Sequence, residues 1–272
     1  MWRGCDGINI KLFVTDLDGT LLPSGASVPP GNIEAVKRAV RAGVIVTIAT
    51  GRMYRAALPV ARALGVDVPI ITYNGAVIRS VTGKVYDENF LPADIVPEVL
   101  SFCRARDWHV QLYADDVLYF PEHNRYAEEY EADQEIKGVT VGWEGLAEHK
   151  KPVAKLLSIS DGAEETAERI RALNEAFGSR VQAMRSNPNY MEIVVPGVSK
   201  ASALKKLAKK LGVSLDEVMA IGDSNNDLPM LKAAGHSVAM GNALPEVKAA
   251  CEFTVGTCEE GGFAEAIERF VL

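Results

Sequence analysis

Three short apolar runs, at residues 10–14, 44–49 and 69–73, each end on a polar or glycine-bearing turn, with helical patterns between them. Runs of this length that are apolar at successive positions belong to strands buried on both faces, as in a parallel sheet covered by its crossover helices. The first helical pattern begins near residue 32, carries Ile33, Val36 and Val40 on one face, and stops at Gly43. A loop containing Gly25, Pro29, Pro30 and Gly31 precedes it, and a second helix stops at Gly65. This βαβαβ opening restricts the chain to an α/β fold built on a Rossmann-like parallel sheet.

The rhythm then changes. Residues 77–90 read as a hairpin turning at Thr82-Gly83-Lys84. Helices at 93–106, 125–133 and 163–177 alternate with strands at 110–113, 117–120, 154–159, 181–185 and 191–195, which together suggest an α+β module. After Pro196-Gly197 the parallel pattern resumes, with a helix at 200–211 ending on Gly212 and strands at 218–221, 237–240 and 252–255. Helices at 228–234, at 245–250 and from residue 263 complete it. The simplest organisation is one core, residues 1–84 and 196–272, split by an inserted module at 85–195.

Composition narrows the function classes. Lys plus Arg total 29 against 36 Asp plus Glu, a net charge of −7. That balance argues against a nucleic-acid coat protein, which needs a basic footprint. The four cysteines, Cys5, Cys103, Cys251 and Cys258, form no Cys-x-x-Cys pair, so a reducing cytoplasm is the expected compartment. The leader at residues 1–7 lacks the apolar run of a signal peptide, and no stretch reaches the ~18–20 apolar residues of a membrane span. No membrane partner is expected, and the chain is taken as a monomer or small homo-oligomer.

Polar clusters follow three of the apolar strands: Asp16-Leu17-Asp18-Gly19-Thr20, Thr50-Gly51-Arg52, and Gly222-Asp223-Ser224-Asn225-Asn226-Asp227. In open parallel sheets ligands bind beyond the carboxyl ends of the strands, so these clusters should share one crevice. Gly19 lets the chain leave its strand steeply. Two carboxylates at a strand tip serve as metal ligands, or as a nucleophile beside an acid/base partner. Asp223 and Asp227 raise the local count to four, and four clustered anions repel unless a cation lies among them. All-oxygen ligation suits Mg²⁺, which would draw in a phosphate. Lys200, in the first turn of a helix capped by Ser199, supplies positive charge where the helix dipole does not favour it. Taken singly, each element also has an ordinary reading as a turn, a loop or a solvated helix residue.

Together, in this order, the elements resemble the haloacid dehalogenase-like phosphatases. Asp16-Leu17-Asp18-Gly19-Thr20 matches that family's first motif, and Thr50, Lys200 and residues 222–227 match the second, third and fourth. An insertion between the second and third motifs is similar to the C2 cap of the Cof-type, or subclass IIB, hydrolases. Asn74-Gly75-Ala76, Val198-Ser199-Lys200 and residues 238–243 support the same reading. The resemblance implies a catalytic core at 1–84 and 196–272 and a substrate-specificity cap at 85–195.

The resemblance also implies roles. Asp16 would be the nucleophile that forms an aspartyl-phosphate, and Asp18 the acid and then the base. Thr50, Gly51, Lys200 and Asn226 would hold the phosphoryl oxygens. Mg²⁺ would be held by the Asp16 carboxylate, the Asp18 backbone carbonyl and Asp223, with Asp227 as a direct or water-bridged ligand. Arg52 and Asn74 are candidates for the substrate rim or a hinge. In the cap, Glu192 is a candidate for substrate contact, as are Tyr113, Asp115 and Asp116 near a hairpin tip. The function implied is Mg²⁺-dependent hydrolysis of small phosphorylated metabolites, such as sugar phosphates or phosphorylated cofactors. The alternatives are a phosphotransferase or phosphomutase using the same intermediate, and a non-catalytic binding protein that kept the fold.

Overall fold

The computed structural model describes residues 9–23 and 27–272. The leader at 1–7, with Cys5, and the loop residue Gly25 lie outside the described residues. The chain divides into two compact units. One holds the described residues up to Gly51 together with Ala57–Tyr86 and Ser199–Leu272; the other holds Arg52–Ala56 and Asp87–Val198.

The first unit opens with β1 (Leu12–Thr15), α1 (Pro30–Arg41), β2 (Ile45–Ile48), α2 (Tyr54–Ala63, its first turn grouped with the second unit), β3 (Ile70–Thr72), β4 (Val77–Arg79) and β5 (Val85–Glu88). α1 starts two residues earlier than its apolar spacing indicates. Pro30 occupies the first helical turn, where its missing N–H costs nothing, so Pro30 and Gly31 belong to the helix and not to the loop.

The second unit comprises α3 (Ile95–Arg104), β6 (His109–Ala114), β7 (Val117–Phe120), α4 (Arg125–Gln134), β8 (Val139–Thr140), α5 (Gly142–Ala147), β9 (Val153–Ile159), α6 (Ala163–Phe177), β10 (Gln182–Asn187) and β11 (Tyr190–Val194). The chain then returns to the first unit with α7 (Lys200–Leu211), β12 (Val218–Gly222), α8 (Leu228–Ala233), β13 (His236–Ala239), α9 (Pro245–Ala250), β14 (Phe253–Thr254) and α10 (Gly262–Phe270).

The core sheet runs in the order β14-β13-β12-β1-β2, with every pairing parallel. Thr15 lies opposite both Ile221 and Ile48, so the ends of β1, β2 and β12 are level. Leu12, Phe13 and Val14 are fully buried, as strands covered on both faces must be. Chain progression reverses at β1, from β1–β2 on one side to β12–β14 on the other. Asp16 therefore emerges at the topological switch point, where such sheets open a crevice.

The third apolar run departs from expectation. β3 pairs antiparallel with β4 in a separate sheet of order β3-β4-β5. Its only register with the main sheet among the described residues is the parallel bridge Ala49↔Ile71, extended by Thr50 N–H donating to the Ile71 carbonyl at 2.9 Å. The reason is local: residues 73–75 form a tight turn that feeds β3 straight back into a partner, and an immediate reversal permits only antiparallel pairing.

In the second unit one mixed sheet, β10-β11-β9-β6-β7-β8, carries a core in which Val99, Leu112, Leu156, Leu173 and Ile193 are fully buried. Along β6 side chains alternate, so Val110 and Leu112 enter this core while Gln111 and Tyr113 point the other way. β8 and α5 give no clear sequence signal. β8 is two residues long and α5 six, too short for a period to show.

Candidate active site

α7 presents its first residue to the end of β1. Ser199 caps the helix: its hydroxyl accepts from Ser202 N–H at 3.1 Å, and the Ser202 hydroxyl in turn accepts from Ser199 N–H at 3.0 Å. Lys200 follows, 1% exposed, with its Nζ 2.5 Å from Asp16 Oδ1 and 2.7 Å from Asp227 Oδ1. The spacing of motifs from three distant parts of the chain thus closes into one charged cluster.

Asp16, Asp223 and Asp227 each offer one carboxylate oxygen within 4.8 Å of the others. Asp16 is held well above the ordinary carboxylate range, first by burial and then by Asp227, with Lys200 opposing. Asp223 is pushed up to about 7 by burial and by Asp227, against the hydrogen bond from Thr20. Burial disfavours the Lys200 ammonium, but the adjacent carboxylates of Asp16 and Asp227 overcome this and raise its pKa. One buried ammonium is therefore short of the charge around it. Three converging carboxylates with a negative surplus fit a hard divalent cation that prefers oxygen ligands.

Asp227 has both oxygens engaged. Oδ1 accepts from Lys200, and Oδ2 accepts from the N–H groups of Asp223 and Ser224, each at 3.1 Å. The carboxylate thereby folds the 223–227 loop onto itself. The Asp18 carboxylate is exposed and stands outside the three-oxygen cluster, although its charge reaches Asp16 and Asp223. Between them Gly19 adopts φ +75°, and a Cβ there would fall 2.7 Å from Asp223 Oδ2, so this turn admits only glycine.

Thr50, fully buried, follows β2, and Asn74 joins the same region, donating its N–H to the Thr50 carbonyl at 3.0 Å. Asn226 Nδ2 donates to Asn74 Oδ1 at 3.0 Å. Asp16, Asp18, Thr50, Gly51, Asn74, Lys200, Asp223, Asn226 and Asp227 thus all belong to the first unit, whereas Arg52 and Glu192 belong to the second. Glu192 is buried there, with Lys155 Nζ 2.9 Å from its Oε2 and Ser186 Oγ donating to its Oε1 at 3.0 Å. Tyr113 is fully buried beside this pair, and Asp115 and Asp116 form the left-handed turn between β6 and β7.

Three residues to which the sequence reading gave no role of their own support the site. Thr20 Oγ1 donates to Asp223 Oδ1 at 2.8 Å. Asn242 Nδ2 donates to the Gly19 carbonyl at 2.8 Å, and Cys258 Sγ donates to the Thr20 carbonyl at 3.1 Å. The signal available for Thr20 is its place directly after Asp-x-Asp-Gly. Nothing in the sequence alone ties Asn242 or Cys258 to that loop.

Comparison with known proteins shows the family. The haloacid dehalogenase-like hydrolase family model matches residues 13–267, and the chain belongs to that family. It is similar, at 31% identity over 98% of each chain, to a Bacillus subtilis protein named 5-amino-6-(5-phospho-D-ribitylamino)uracil phosphatase YcsE. It is similar at 30% identity, covering 96% of this chain and 95% of the other, to an HMP-PP phosphatase from Serratia proteamaculans. A solved haloacid dehalogenase-like hydrolase from Bacteroides thetaiotaomicron superposes with a TM-score of 0.85 at 32% identity, covering 96% of this chain and 99% of that one. The chain is thus an enzyme of a hydrolase family whose named relatives are phosphatases.

Proposed function

We propose that the protein is a Mg²⁺-dependent phosphatase of small phosphorylated metabolites, working through an aspartyl-phosphate on Asp16. The observation that carries this reading is the buried Asp16 carboxylate, held by Lys200 and grouped with Asp223 and Asp227 at the end of β1. The relatives' names, a ribitylaminouracil phosphate and HMP-PP among their substrates, support a phosphorylated metabolite as the substrate class.

Asp16 and Asp223, with the Asp18 backbone carbonyl, would hold the cation, and Asp227, a direct or water-bridged ligand, would also hold Lys200 and the loop. When bound, magnesium neutralises negative charge on the transferring group. Lys200, Thr50 and the amides of the 50–51 turn orient the phosphoryl oxygens. An Asp16 oxygen attacks phosphorus while the ester P–O bond breaks, and Asp18 donates its proton to the departing alkoxide. Asp18 then takes a proton from a water whose oxygen attacks the same phosphorus. The Asp16–phosphorus bond breaks, releasing inorganic phosphate. The second unit would serve as the substrate-specificity cap. Cys103, Cys251 and Cys258 are free thiols, which suits a cytoplasmic location.

The test is phosphate release from p-nitrophenyl phosphate and a panel of sugar and cofactor phosphates, with Mg²⁺ and after chelation. Release that requires Mg²⁺ is expected. Undiminished release after chelation, or phosphorylated alcohol formed in preference to phosphate, would overturn it.

A further inference from the structure

Residues 17–22 fold into a turn held by their own N–H groups. Gly19 N–H donates to the Leu22 carbonyl at 3.1 Å, and Thr20 and Leu22 N–H donate to the Leu17 carbonyl at 3.2 and 2.8 Å. Three successive carbonyls of the same turn are then taken by side chains from three other segments. Asn242 Nδ2 donates to the Gly19 carbonyl at 2.8 Å, Cys258 Sγ to the Thr20 carbonyl at 3.1 Å, and Asn32 Nδ2 on α1 to the Leu21 carbonyl at 3.0 Å. Ordering a side chain costs entropy, so a turn fastened at consecutive carbonyls is one whose geometry is being fixed.

Asn242 is the exposed member of the three and makes a second bond. Its Oδ1 accepts from Cys258 N–H at 2.8 Å. Beside it, Gly241 N–H donates to the Gly256 carbonyl at 2.9 Å, and a Cβ on Gly241 would fall 2.7 Å from Gly256 C. The backbones of the 240–242 and 256–258 loops therefore touch, and Asn242 ties the turn after β1 to both. Asp16, buried at the end of β1, has Lys200 to hold it. Asp18 is exposed, stands outside the buried carboxylate cluster and immediately precedes the first fastened carbonyl.

We propose that Asn242 is a positioning residue for Asp18: by holding the Gly19 carbonyl against the 256–258 loop, it sets where the Asp18 carboxyl meets the leaving oxygen. This rests on the phosphatase reading above. Asn242 touches neither phosphate nor metal. It acts through the backbone, and its loss should weaken proton delivery more than any other step.

The experiment compares kcat/KM for p-nitrophenyl phosphate and for an alkyl phosphate from the panel above, in wild type, Asn242→Ala and Asn242→Asp. This ratio reports the steps through departure of the alcohol, and an alkoxide needs the proton far more than nitrophenolate does. Asn242→Asp keeps the acceptor for Cys258 N–H and loses only the donor, so it separates the grip on Gly19 from the packing of the two loops. In both variants kcat/KM for the alkyl ester should fall roughly 10- to 100-fold further than for the aryl ester, within the 10²–10⁴ that a general acid supplies. Asn242→Ala should add nothing to that selectivity in an Asp18→Asn background. Melting temperatures of both variants should stay within about 5 °C of wild type, because the side chain is exposed. Equal losses for the two esters, or a selective loss that persists undiminished with Asp18→Asn, overturn the inference. If wild type hydrolyses both esters in that case, only the role of Asn242 falls. If wild type hydrolyses neither, the phosphatase reading falls with it.

Discussion

Lys200 Nζ stands 2.5 Å from Asp16 Oδ1, joining the first residue of α7 to the residue that leaves β1 across 184 positions of sequence. Both groups are buried, and the ammonium also contacts Asp227 at 2.7 Å. Lys200 is therefore structural, whatever its part in the proposed chemistry. Lys200→Met would leave two buried carboxylates facing each other without a counter-charge. We expect a loss of about 3–5 kcal/mol in unfolding free energy, measured by urea denaturation of the metal-free protein. A loss under about 1 kcal/mol would show that the ammonium is not the cluster's main neutralising group.

Asp16→Asn should separate stability from activity. It removes one charge from a repelling group and leaves Lys200 paired with Asp227. The melting temperature of the metal-free variant should equal or exceed that of wild type, while phosphate release falls at least about a thousandfold. A variant that melts much lower would mean that Asp16 is held mainly as the lysine's partner.

Metal should act more strongly at high pH. Asp223 titrates at about 7, against 3.8 for the ordinary carboxyl, because of burial and Asp227. The folded form thus binds the proton more tightly than the unfolded chain does. Its contribution favours folding below about pH 4, and that advantage is lost as pH rises through 7. Mg²⁺ competes with those protons and adds stability through its own affinity. The rise in melting temperature between chelated and Mg²⁺-saturated protein should therefore be larger at pH 8 than at pH 5. An equal rise at both would contradict the charge surplus.

The second unit carries a separate acid sensitivity. His109 on β6 is pulled down to about 4 by burial and then by Arg169, so it is neutral when folded. Unfolding lets it take up a proton below its usual 6.5. Stability from this residue is present above about pH 6.5 and is lost as pH falls toward 4, by up to about 3 kcal/mol. His109→Phe should flatten the melting curve against pH across that window. An unchanged slope would assign the acid sensitivity elsewhere.

Lys155 and Glu192 offer a test inside the same sheet. Each is almost fully buried, at 2.9 Å, and the ammonium lies 4.5 Å from the Tyr113 ring centroid. Glu192→Leu should cost about 3–5 kcal/mol by stranding the lysine, and adding Lys155→Met should recover most of that loss. Failure of the second substitution to recover stability would show that Glu192 acts through partners other than Lys155.

Much of the first unit was legible in the sequence, because fully buried strands announce themselves as unbroken apolar runs. β1 and β12 are of this kind, and the polar residues that end them, Asp16 and Asp223, could be placed at one sheet edge on that basis alone. β3 shows where the reasoning runs out: its apolar run looks like the others, and only the turn at Asn74 decides that it pairs backwards. The engagement of both Asp227 oxygens was equally hidden, because a motif lists residues and not which atoms meet. In the second unit the sequence offers Tyr113 and Glu192 as candidates for substrate contact, yet both are buried. Long-range partners such as Lys155 bury them, and such pairings leave no local mark.

The central claim is that Asp16 carries the phosphoryl group. The most direct measurement is borohydride trapping during turnover of a phosphate monoester, using Asp18→Asn protein so that the water step is slow. Mass spectrometry of the peptide containing residue 16 then reads the product, since reduction of an aspartyl-phosphate gives homoserine. We predict homoserine at position 16, formed only when substrate and Mg²⁺ are both present. An intact aspartate at 16, with the phosphoryl group trapped on another residue, would contradict the account.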